Sequence, residues 1–546
     1  MDRRRFLYLS GGFAALAARA GGSSILSPVA GNGGTAEGLL GMYVHEGWPY
    51  NHPYAARTWT VEDWRGYADG LSKLGYNMVV MWPALEIMPE PLMPSDRAQI
   101  EKTANVIGVL RRDFGFRVFL TLCPNLIANE RVARRYSFER RPLFSSVEFV
   151  DPSNVAAMKR MIAWREQLLR PLSQMDGIAI IDSDPGGFPG STNSQFASLL
   201  EQHRHMLDRL RPGIDLYYWM HVGWEADCDY YAPGRFRWGT PLEAEDVLKK
   251  IKSYDPQPWG ITIHTLKPPP NGTDLNLAKR FGLATTALAF NYGAIEGEPE
   301  FPLTNFGGDA AFKAGEARAP LGVVGNAQTH CVQLPNTFAF ASGAKGSPIS
   351  AHDYVQFADG LIEGKGGLVV SAWRAIESSD SKQMRVIAAD LDAIRDAALR
   401  PGNLSGLLFG NPHRFLSDLG FQLRMKAAFV DFVGASQETI DYEKFRLFVA
   451  ATAAWQKRNG FQAAWPSIWS EKWKGLAETL KKLKSPSLDR ILAESSPDNG
   501  NWNITSYVSP GSTPFERVQN FYHEWGTNGF RLLAEMQKIS QRTAPR

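Results

Sequence analysis

The sequence predicts a (β/α)8 barrel followed by an all-α C-terminal domain. Between residues 41 and 375, eight short β-rich runs alternate with amphipathic helical patterns, the order of elements in such a barrel. The runs are apolar throughout, as expected of parallel strands that are buried on both faces. Several helices also end in a glycine directly before the next strand, as in Leu74-Gly75 and Phe281-Gly282, which is typical of helix-to-strand loops. A doubly wound open sheet is the alternative.

The predicted strands are short and follow one another in chain order: 41–45, 77–82, 116–122, 177–182, 215–222, 259–265, 285–292 and 321–325. The helical patterns that accompany them are 61–74, 97–113, 154–172, 194–210, 241–253, 275–281 and 353–363. After about residue 376 the strand signal stops, and helical spacing with charged outer faces continues over 378–399, 415–433, 441–458, 470–483 and 514–539. Residues 376–546 are therefore predicted to form a helical domain that packs on the barrel.

The N-terminus resembles a bacterial twin-arginine export signal. Arg3-Arg4-Arg5-Phe6-Leu7 precedes a weakly apolar run, and Ala18-Arg19-Ala20 offers a cleavage site. The apolar run is too short to span a bilayer stably. Residues 1–30 are therefore interpreted as a signal peptide and linker, which predicts a soluble periplasmic or secreted protein, with the twin-arginine translocase as its partner during export. A disordered basic tail is the alternative.

Composition limits the classes of partner and cofactor. The chain has 546 residues, of which 44% are hydrophobic and 21% charged, so a disordered protein is excluded. The formal charge is +3, and it balances without the first twenty residues, so no global field attracts nucleic acid or an anionic membrane. Three cysteines are too few for a disulfide framework, and no nucleotide-binding or zinc-binding motif occurs. The sequence predicts no cofactor, no nucleic-acid partner and no stable membrane insertion.

Active sites of (β/α)8 barrels lie at the carboxyl ends of the strands, so the residues after each predicted strand are candidates. Carboxylates, amides, imidazoles and tryptophans collect there. Such side chains suit a sugar, because they bond hydroxyl groups and stack on the C–H faces of its ring. The predicted substrate-binding residues are His45, Glu46, Trp48, Trp82, Glu86, His221, Trp224, His264, Asn291, Tyr292, Asn326, His330, Gln333 and Asn336.

Asp182-Ser183-Asp184 follows the fourth predicted strand, which is wholly apolar. Mutual repulsion and partial burial should raise the pKa of one carboxyl and leave the other ionised, the separation that a general acid and its partner need. Asp184 is predicted to be the general acid, and Asp182 to position the substrate or stabilise positive charge. Glu225 after strand 5 and Glu296 after strand 7 are the candidates for nucleophile or base. Because a proline follows Asp184, a turn without catalysis is the competing interpretation.

From Gly41 to about Trp373 the chain resembles (β/α)8 glycoside hydrolases. The resemblance is carried by the His/Glu pair that ends the first strand, Thr60-Val61-Glu62-Asp63-Trp64 opening a helix, Gly75-Tyr76-Asn77 before the second strand, and the acidic residues after the fourth. The chain is similar to the group of hexosaminidases, O-GlcNAc hydrolases and α-glucuronidases, several of which have a helical C-terminal domain. The resemblance implies a glycosidase with a carbohydrate substrate. In hexosaminidase-like members the two acidic residues are adjacent, whereas Ser183 separates them here.

Two other functions stay open at this point. Four histidines, His45, His221, His264 and His330, fall near the predicted mouth of the barrel, so a metal-dependent hydrolase on the same barrel is one alternative. Hydrogen bonds to sugar hydroxyls explain the same histidines without a metal. A carbohydrate-binding protein without catalysis is the other alternative, since it would keep the tryptophans and amides.

Overall fold

Eight parallel strands close into a barrel in the computed structural model of the chain. The strands are β1 Leu39–His45, β2 Met78–Trp82, β3 Arg117–Leu122, β4 Gly177–Ile181, β5 Asp215–Trp219, β6 Trp259–Ile263, β7 Ala287–Asn291 and β8 Gly322–Ala327. Each strand pairs in parallel with the next, and β1 pairs with β8 to complete the ring. The (β/α)8 barrel is therefore confirmed. The structure describes residues 38–47, 50–141, 143, 146–182, 192–220, 244–251, 259–263, 275–291, 306, 309–327, 330–395, 397–460, 471–494 and 527–544.

Helices lie between the strands and after β8: α1 Val61–Lys73, α2 Pro94–Phe114, α3 Glu130–Ala133, α4 Val155–Leu169, α5 Asn193–Leu210, α6 Ala244–Ile251, α7 Leu275–Arg280, α8 Asp309–Glu316, α9 Leu334–Ala344, α10 Ala351–Leu361 and α11 Gly366–Glu377. Short 3-10 turns lie at Ala56–Thr58, Leu85–Ile87, Phe138–Arg140, Arg170–Leu172, Ala284–Thr286 and Ser405–Leu408. An antiparallel hairpin after β3 pairs Leu126–Ala128 with Val147–Phe149. Within the described ranges, the structure contains no helix with the length and hydropathy of a membrane span.

Two helices near β8 differ from the prediction. The sequence pattern predicts no helix between β7 and β8, where the structure has α8, and the first helix after β8 is α9 rather than 353–363. Nearly every residue of α9 is buried, so the helix has no polar face from which its period could be detected. The predicted segment 353–363 corresponds to α10, an additional helix.

Local sequence signals explain where the barrel helices begin and end. The Thr60 hydroxyl accepts a hydrogen bond from the Asp63 N–H at 3.1 Å, and the Asp63 carboxylate accepts one from the Thr60 N–H at 2.8 Å, which forms a capping box before α1. Gly75 and Gly282 have φ values of 89° and 72°, a left-handed conformation that disfavours other residues. The predicted glycine stops are therefore confirmed.

Glycines inside the strands leave room for large rings in the barrel. The Phe119 and Tyr217 rings are 5.0 Å apart although they belong to β3 and β5. A Cβ atom on Gly177 of β4 would lie 2.7 Å from the Phe119 ring, and one on Gly260 of β6 would lie 1.4 Å from the Tyr217 ring. The bare glycine backbones therefore let two aromatic rings fill the part of the barrel farther from the strand ends.

The C-terminal region is helical, as predicted, with α12 Ser381–Ala393, α13 Pro412–Ala435, α14 Tyr442–Asn459, α15 Glu471–Lys481, α16 Pro486–Glu494 and α17 Thr527–Arg542. Its hydrophobic cluster includes Phe432 of α13 and Trp455 of α14 together with Tyr54, from the loop after β1, and Val332, from the loop after β8. The helices therefore pack on loops at the barrel mouth. The boundary predicted near residue 376 falls within α11, and the existence of a separate domain stays a prediction.

The end of α14 is bound by the loop after β1. The backbone N–H of Asn51 donates to the Asn459 carbonyl at 2.9 Å, and its side-chain amide donates to the Lys457 and Arg458 carbonyls at 3.3 and 3.1 Å. Carbonyls in the last turn of a helix have no partner within the helix, so Asn51 satisfies groups that would otherwise need water. The C-terminal helices thus help to hold the segment that continues from the first barrel strand.

Candidate active site

His45 and Trp82 lie side by side where β1 and β2 end at the mouth. They are register partners, and their ring centroids are 4.2 Å apart in an edge-to-face arrangement. The His45 Nδ1 atom accepts a hydrogen bond from the Gly47 N–H at 2.9 Å. Burial holds the pKa of His45 well below its usual value, and the nearby Arg57 and His330 lower it further. We therefore assign a neutral imidazole that carries its hydrogen on Nε2, which makes that atom a hydrogen-bond donor.

His330 is a second buried imidazole close to the mouth. Its Nδ1 atom lies 2.6 Å from the Tyr67 hydroxyl, while its Nε2 atom has no partner. Burial lowers the pKa of His330 to about 3, so the ring is neutral. If Tyr67 donates to Nδ1, only the Nε2 hydrogen is left unsatisfied, whereas the reverse arrangement leaves the hydroxyl hydrogen unsatisfied as well. We therefore assign His330 as a buried donor through Nε2.

Three aromatic rings close the barrel below the mouth. The Tyr43 ring of β1 lies 5.6 Å from the Trp219 ring of β5 and 5.5 Å from the Phe290 ring of β7. The Trp219 and Phe290 rings are 4.1 Å apart. Because β1 and β5 stand on opposite sides of the ring of strands, these contacts cross the barrel interior. The interior is therefore filled by side chains at this level and is not a channel.

Polar atoms without partners accompany this aromatic floor. Thr121 Oγ1 on β3, Trp219 Nε1 on β5 and Asn326 Oδ1 on β8 make no hydrogen bond, and each residue is at most 4% exposed. Register and alternation place all three on the inward face, since Asn326 is paired with Tyr43 and Thr121 lies two residues after Phe119. A buried polar group without a partner costs about 1–3 kcal/mol. A polar ligand in the barrel mouth would satisfy these groups.

Thr121 and Trp219 are candidate site residues that the sequence pattern does not single out. Both lie inside the apolar runs that predict strands, whereas the candidates from the sequence are the residues after each predicted strand; in the structure Trp219 is the last residue of β5. In β3, Thr121 is the one polar residue between Val118 and Leu122, which is the sequence signal that could have identified it.

Asp182 lies at the end of β4 but turns away from the barrel interior. Its Oδ2 atom accepts a hydrogen bond from the Tyr218 hydroxyl at 2.9 Å, and the Tyr218 ring packs 5.3 Å from Phe196 of α5. Tyr218 alternates with the inward-facing Tyr217 and Trp219, so it faces the helices. The carboxylate of Asp182 therefore ties the residue after β4 to the neighbouring strand β5.

Glu86 connects the ends of two strands. Its Oε2 atom accepts a hydrogen bond from the Trp82 indole N–H at 3.1 Å, and its Oε1 atom accepts one from the Cys123 backbone N–H at 2.7 Å. Both carboxylate oxygens are thus occupied by groups at the ends of β2 and β3. This geometry gives Glu86 the role of holding Trp82 in place.

Glu46 is buried between the end of β1 and α2. Its Oε2 atom accepts a hydrogen bond from the Gln99 side-chain amide at 2.6 Å, whereas its Oε1 atom has no partner. Burial raises the pKa of Glu46 to about 7, although the charges of Lys102 and Arg57 and the Gln99 hydrogen bond act in the opposite direction. The carboxyl group is directed at α2, so the structure places it behind the mouth.

The amide-bearing candidates after β7 and β8 occupy different places. The Asn291 side-chain amide donates to the Ala314 and Ala317 carbonyls at 2.7 and 2.8 Å, so it faces α8. The Gln333 carbonyl accepts the Asn336 backbone N–H at 3.1 Å where α9 begins, and both residues are buried. The other predicted site residues lie outside the described residues, so their placement stays a prediction: Trp48, Asp184, His221, Trp224, Glu225, His264, Tyr292 and Glu296.

The part of the chain that the structure describes contains no group of three or more histidine, cysteine, aspartate or glutamate residues placed to hold a metal ion. His221 and His264, two of the four histidines in the metal hypothesis, are not among the described residues. The metal-dependent alternative is therefore untested by the geometry.

The fold and the mouth define a (β/α)8-barrel protein with buried polar groups at the carboxyl ends of its strands. Solved structures similar to this chain include glycoside hydrolases. The Thermobaculum terrenum O-GlcNAc hydrolase is 10% identical, with 93% of this chain and 96% of that chain covered and a TM-score of 0.38. A GH138 enzyme targeting pectin rhamnogalacturonan II is 9% identical, with coverages of 81% and 62% and a TM-score of 0.40. CpGH84D is 11% identical, with coverages of 77% and 70% and a TM-score of 0.38.

No family model matches the chain, and a comparison with curated proteins finds no match. The resemblance to glycoside hydrolases is confirmed as a resemblance of fold, while the particular family stays unidentified.

Proposed function

We propose that the protein is a glycoside hydrolase that cleaves an oligo- or polysaccharide by carboxylate general acid/base catalysis. The observation that carries the proposal is the barrel mouth, where unpartnered polar atoms of Thr121, Trp219 and Asn326 accompany an aromatic floor. Sugar rings need both kinds of contact, because their hydroxyls form hydrogen bonds and their C–H faces stack on aromatic rings. The neutral His330 adds a hydrogen-bond donor, its unpartnered Nε2 atom, that is suited to a hydroxyl group.

In this proposal Asp184 protonates the glycosidic oxygen, and Glu225 or Glu296 acts as nucleophile or base. The support for Asp184 comes from its position shortly after the end of a buried strand. The hydrogen bond between Tyr218 and Asp182 fixes the residue that directly follows β4. Asp182 is therefore better suited to positioning Asp184 than to contacting the sugar.

The proposal includes export through the twin-arginine translocase to the periplasm or the cell exterior. Its support is the motif Arg3-Arg4-Arg5-Phe6-Leu7 and the cleavage sequence Ala18-Arg19-Ala20. Extracellular glycans would be the accessible substrates of a protein in that location.

The proposed function is tested by phenol release from a panel of phenyl glycosides, whose weakly activated leaving group needs a proton. At least one glycoside should be hydrolysed, and Asp184→Asn should lower kcat/KM for it by about 10²–10⁴-fold, because the amide cannot donate the proton that the leaving group needs. Asp390→Asn on the exposed face of α12 makes the same chemical change away from the mouth and should leave kcat/KM unchanged.

Other outcomes would identify the rival functions. Hydrolysis that stops when a chelator removes a metal, and returns with the metal, would show a metal-dependent hydrolase. Binding of glycosides without hydrolysis would show a carbohydrate-binding protein. Hydrolysis that Asp184→Asn does not alter would place the general acid at another residue.

A further inference from the structure

We propose that Thr121, Trp219 and Asn326 form the floor of a subsite that selects an uncharged, hydroxyl-bearing sugar ring over a ring that carries a carboxylate or a phosphate. The inference rests on the proposed function, since it names the substrate class of that same site. Its basis is the combination of three inward-facing polar atoms without partners and the charge state of the groups around them.

The three atoms have the hydrogen-bonding capacity that a hydroxyl group matches. The indole Nε1–H of Trp219 can only donate, the Oδ1 atom of Asn326 can only accept, and the hydroxyl of Thr121 can do both. A sugar hydroxyl donates and accepts, so hydroxyl groups match the hydrogen-bonding capacity of all three atoms. A carboxylate or a fully ionised phosphate group placed at Asn326 Oδ1 only accepts hydrogen bonds, so it would leave that oxygen without a donor and close to negative charge.

Two guanidinium groups beside the strand ends in the described part of the chain, those of Arg57 and Arg165, are occupied by backbone carbonyls. Arg57 donates to the Glu46 carbonyl at 2.7 Å and to the Phe138 and Arg141 carbonyls at 2.8 Å. Arg165 donates to the Cys123 carbonyl at 2.6 Å, and also to those of Pro124 and Leu126. Both cations are thus committed to holding the chain around the mouth.

Lys102, close to Glu46, donates to the Arg57 carbonyl at 2.7 Å, and the histidines and glutamates placed at the described part of the mouth supply no positive charge. Burial lowers the pKa of both His45 and His330, so each imidazole is neutral at physiological pH. The carboxyl groups of Glu46 and Glu86 face α2 and the Trp82 indole, respectively. An anion that is buried without a paired cation is strongly disfavoured, whereas a neutral hydroxyl needs only hydrogen bonds.

Ordered water is the competing occupant of the same atoms, because buried polar groups also bind water. Water and a sugar differ in what removal of one hydroxyl does. Thr121→Val keeps the shape of the side chain and removes the polar atom. Thr452→Val is the matched control, since Thr452 in α14 is fully buried and its hydroxyl also lacks a partner.

The test measures binding of phenyl 1-thioglycosides, which resist hydrolysis, to the full chain by calorimetry. The panel contains both anomers of the glucosides, galactosides, mannosides, xylosides and N-acetylglucosaminides, with the glucuronides and galacturonides as anionic counterparts. We expect a neutral member to bind and its uronide to bind at least about tenfold more weakly. Thr121→Val should weaken binding of the neutral ligand about five- to tenfold, while Thr452→Val should change it less than about twofold.

Several results would overturn the subsite. A uronide could bind as tightly as its neutral counterpart, or Thr121→Val could bind the neutral ligand as tightly as Thr452→Val does. Absence of binding by every member of the panel would also contradict the proposal. The proposed function fails separately. Binding that follows the expected pattern, without hydrolysis of aryl O-glycosides, would support the subsite and contradict the proposed enzyme activity. Hydrolysis together with an unchanged affinity in Thr121→Val would support the enzyme activity and contradict the subsite.

Discussion

Replacing Arg141 with methionine is expected to lower the free energy of unfolding by about 3–5 kcal/mol. Arg141 and Asp96 are fully buried and paired, with 2.7 Å between Nη1 and Oδ1. The guanidinium also donates to the Ile87 carbonyl at 2.8 Å and to the Ala133 carbonyl at 2.9 Å. Methionine would fill much of the space, but it would leave the Asp96 charge and these carbonyls buried without their donor. Denaturant-induced unfolding measures the change.

Arg135→Met is the matched control for this variant, because Arg135 is exposed in the same segment. Its effect should stay within about 0.5 kcal/mol, as for most surface substitutions. If Arg141→Met were no more destabilising than Arg135→Met, the buried ion pair would not have the structural role assigned to it. Arg57 donates to the backbone carbonyls of both Arg141 and Glu46, so the segment around Arg141 adjoins the segment that contains Glu46.

Glu46→Gln is expected to stabilise the protein by about 3 kcal/mol at pH 8 and to have little effect at pH 4. Burial raises the pKa of the carboxyl from 4.5 to about 7, so the folded state holds the proton more tightly than the unfolded state. Because the pKa is raised in the folded state, the free energy of unfolding falls as the pH rises from about 4.5 to about 7. Above pH 7 the ionised carboxylate lowers the free energy of unfolding by its full amount. Glutamine stays neutral over this range, so the variant does not lose stability in this way. Urea unfolding of the parent and of Glu46→Gln from pH 4 to pH 8 measures the difference in the free energy of unfolding.

Glu86→Gln is expected to change the stability in the opposite direction to Glu46→Gln. Both carboxylate oxygens of Glu86 accept hydrogen bonds, one from the Trp82 indole N–H and one from the Cys123 backbone N–H. In a glutamine the NH2 group replaces one of these oxygens, so two hydrogen-bond donors would face each other. This variant should be destabilised by about 1–3 kcal/mol at pH 8, where Glu46→Gln is stabilised. A stability difference between Glu46→Gln and the parent that does not change with pH would contradict the account of Glu46.

The barrel could be predicted from the sequence because its strands are buried on both faces. That burial makes runs such as Val79-Val80-Met81 continuously apolar, and glycines such as Gly75 mark the loops between elements. The same burial conceals α9, since a helix that is apolar on nearly every side has no amphipathic period. Continuous hydrophobicity thus reveals strands and conceals buried helices.

The candidate site could be predicted only in part, because residue type at a strand end does not fix the direction of a side chain. His45, Trp82 and Asn326 lie at the mouth as the strand pattern indicates. Asp182 and Asn291 come after inward-facing residues of their strands, so strand alternation turns them toward the helices. Side chains alternate between the barrel interior and the helices along each strand, so the direction of a residue at the strand end follows from that of the residue before it.

The central claim is that a sugar ring binds inside the barrel mouth above the Tyr43 and Trp219 rings. A crystal structure of the protein with the tightest-binding phenyl thioglycoside tests this claim most directly. The account predicts density for the ring there, with hydroxyls within about 3.2 Å of Thr121 Oγ1, Trp219 Nε1 and Asn326 Oδ1, the usual hydrogen-bond limit. Density for water alone at these atoms, with the glycoside bound elsewhere on the protein, would contradict it.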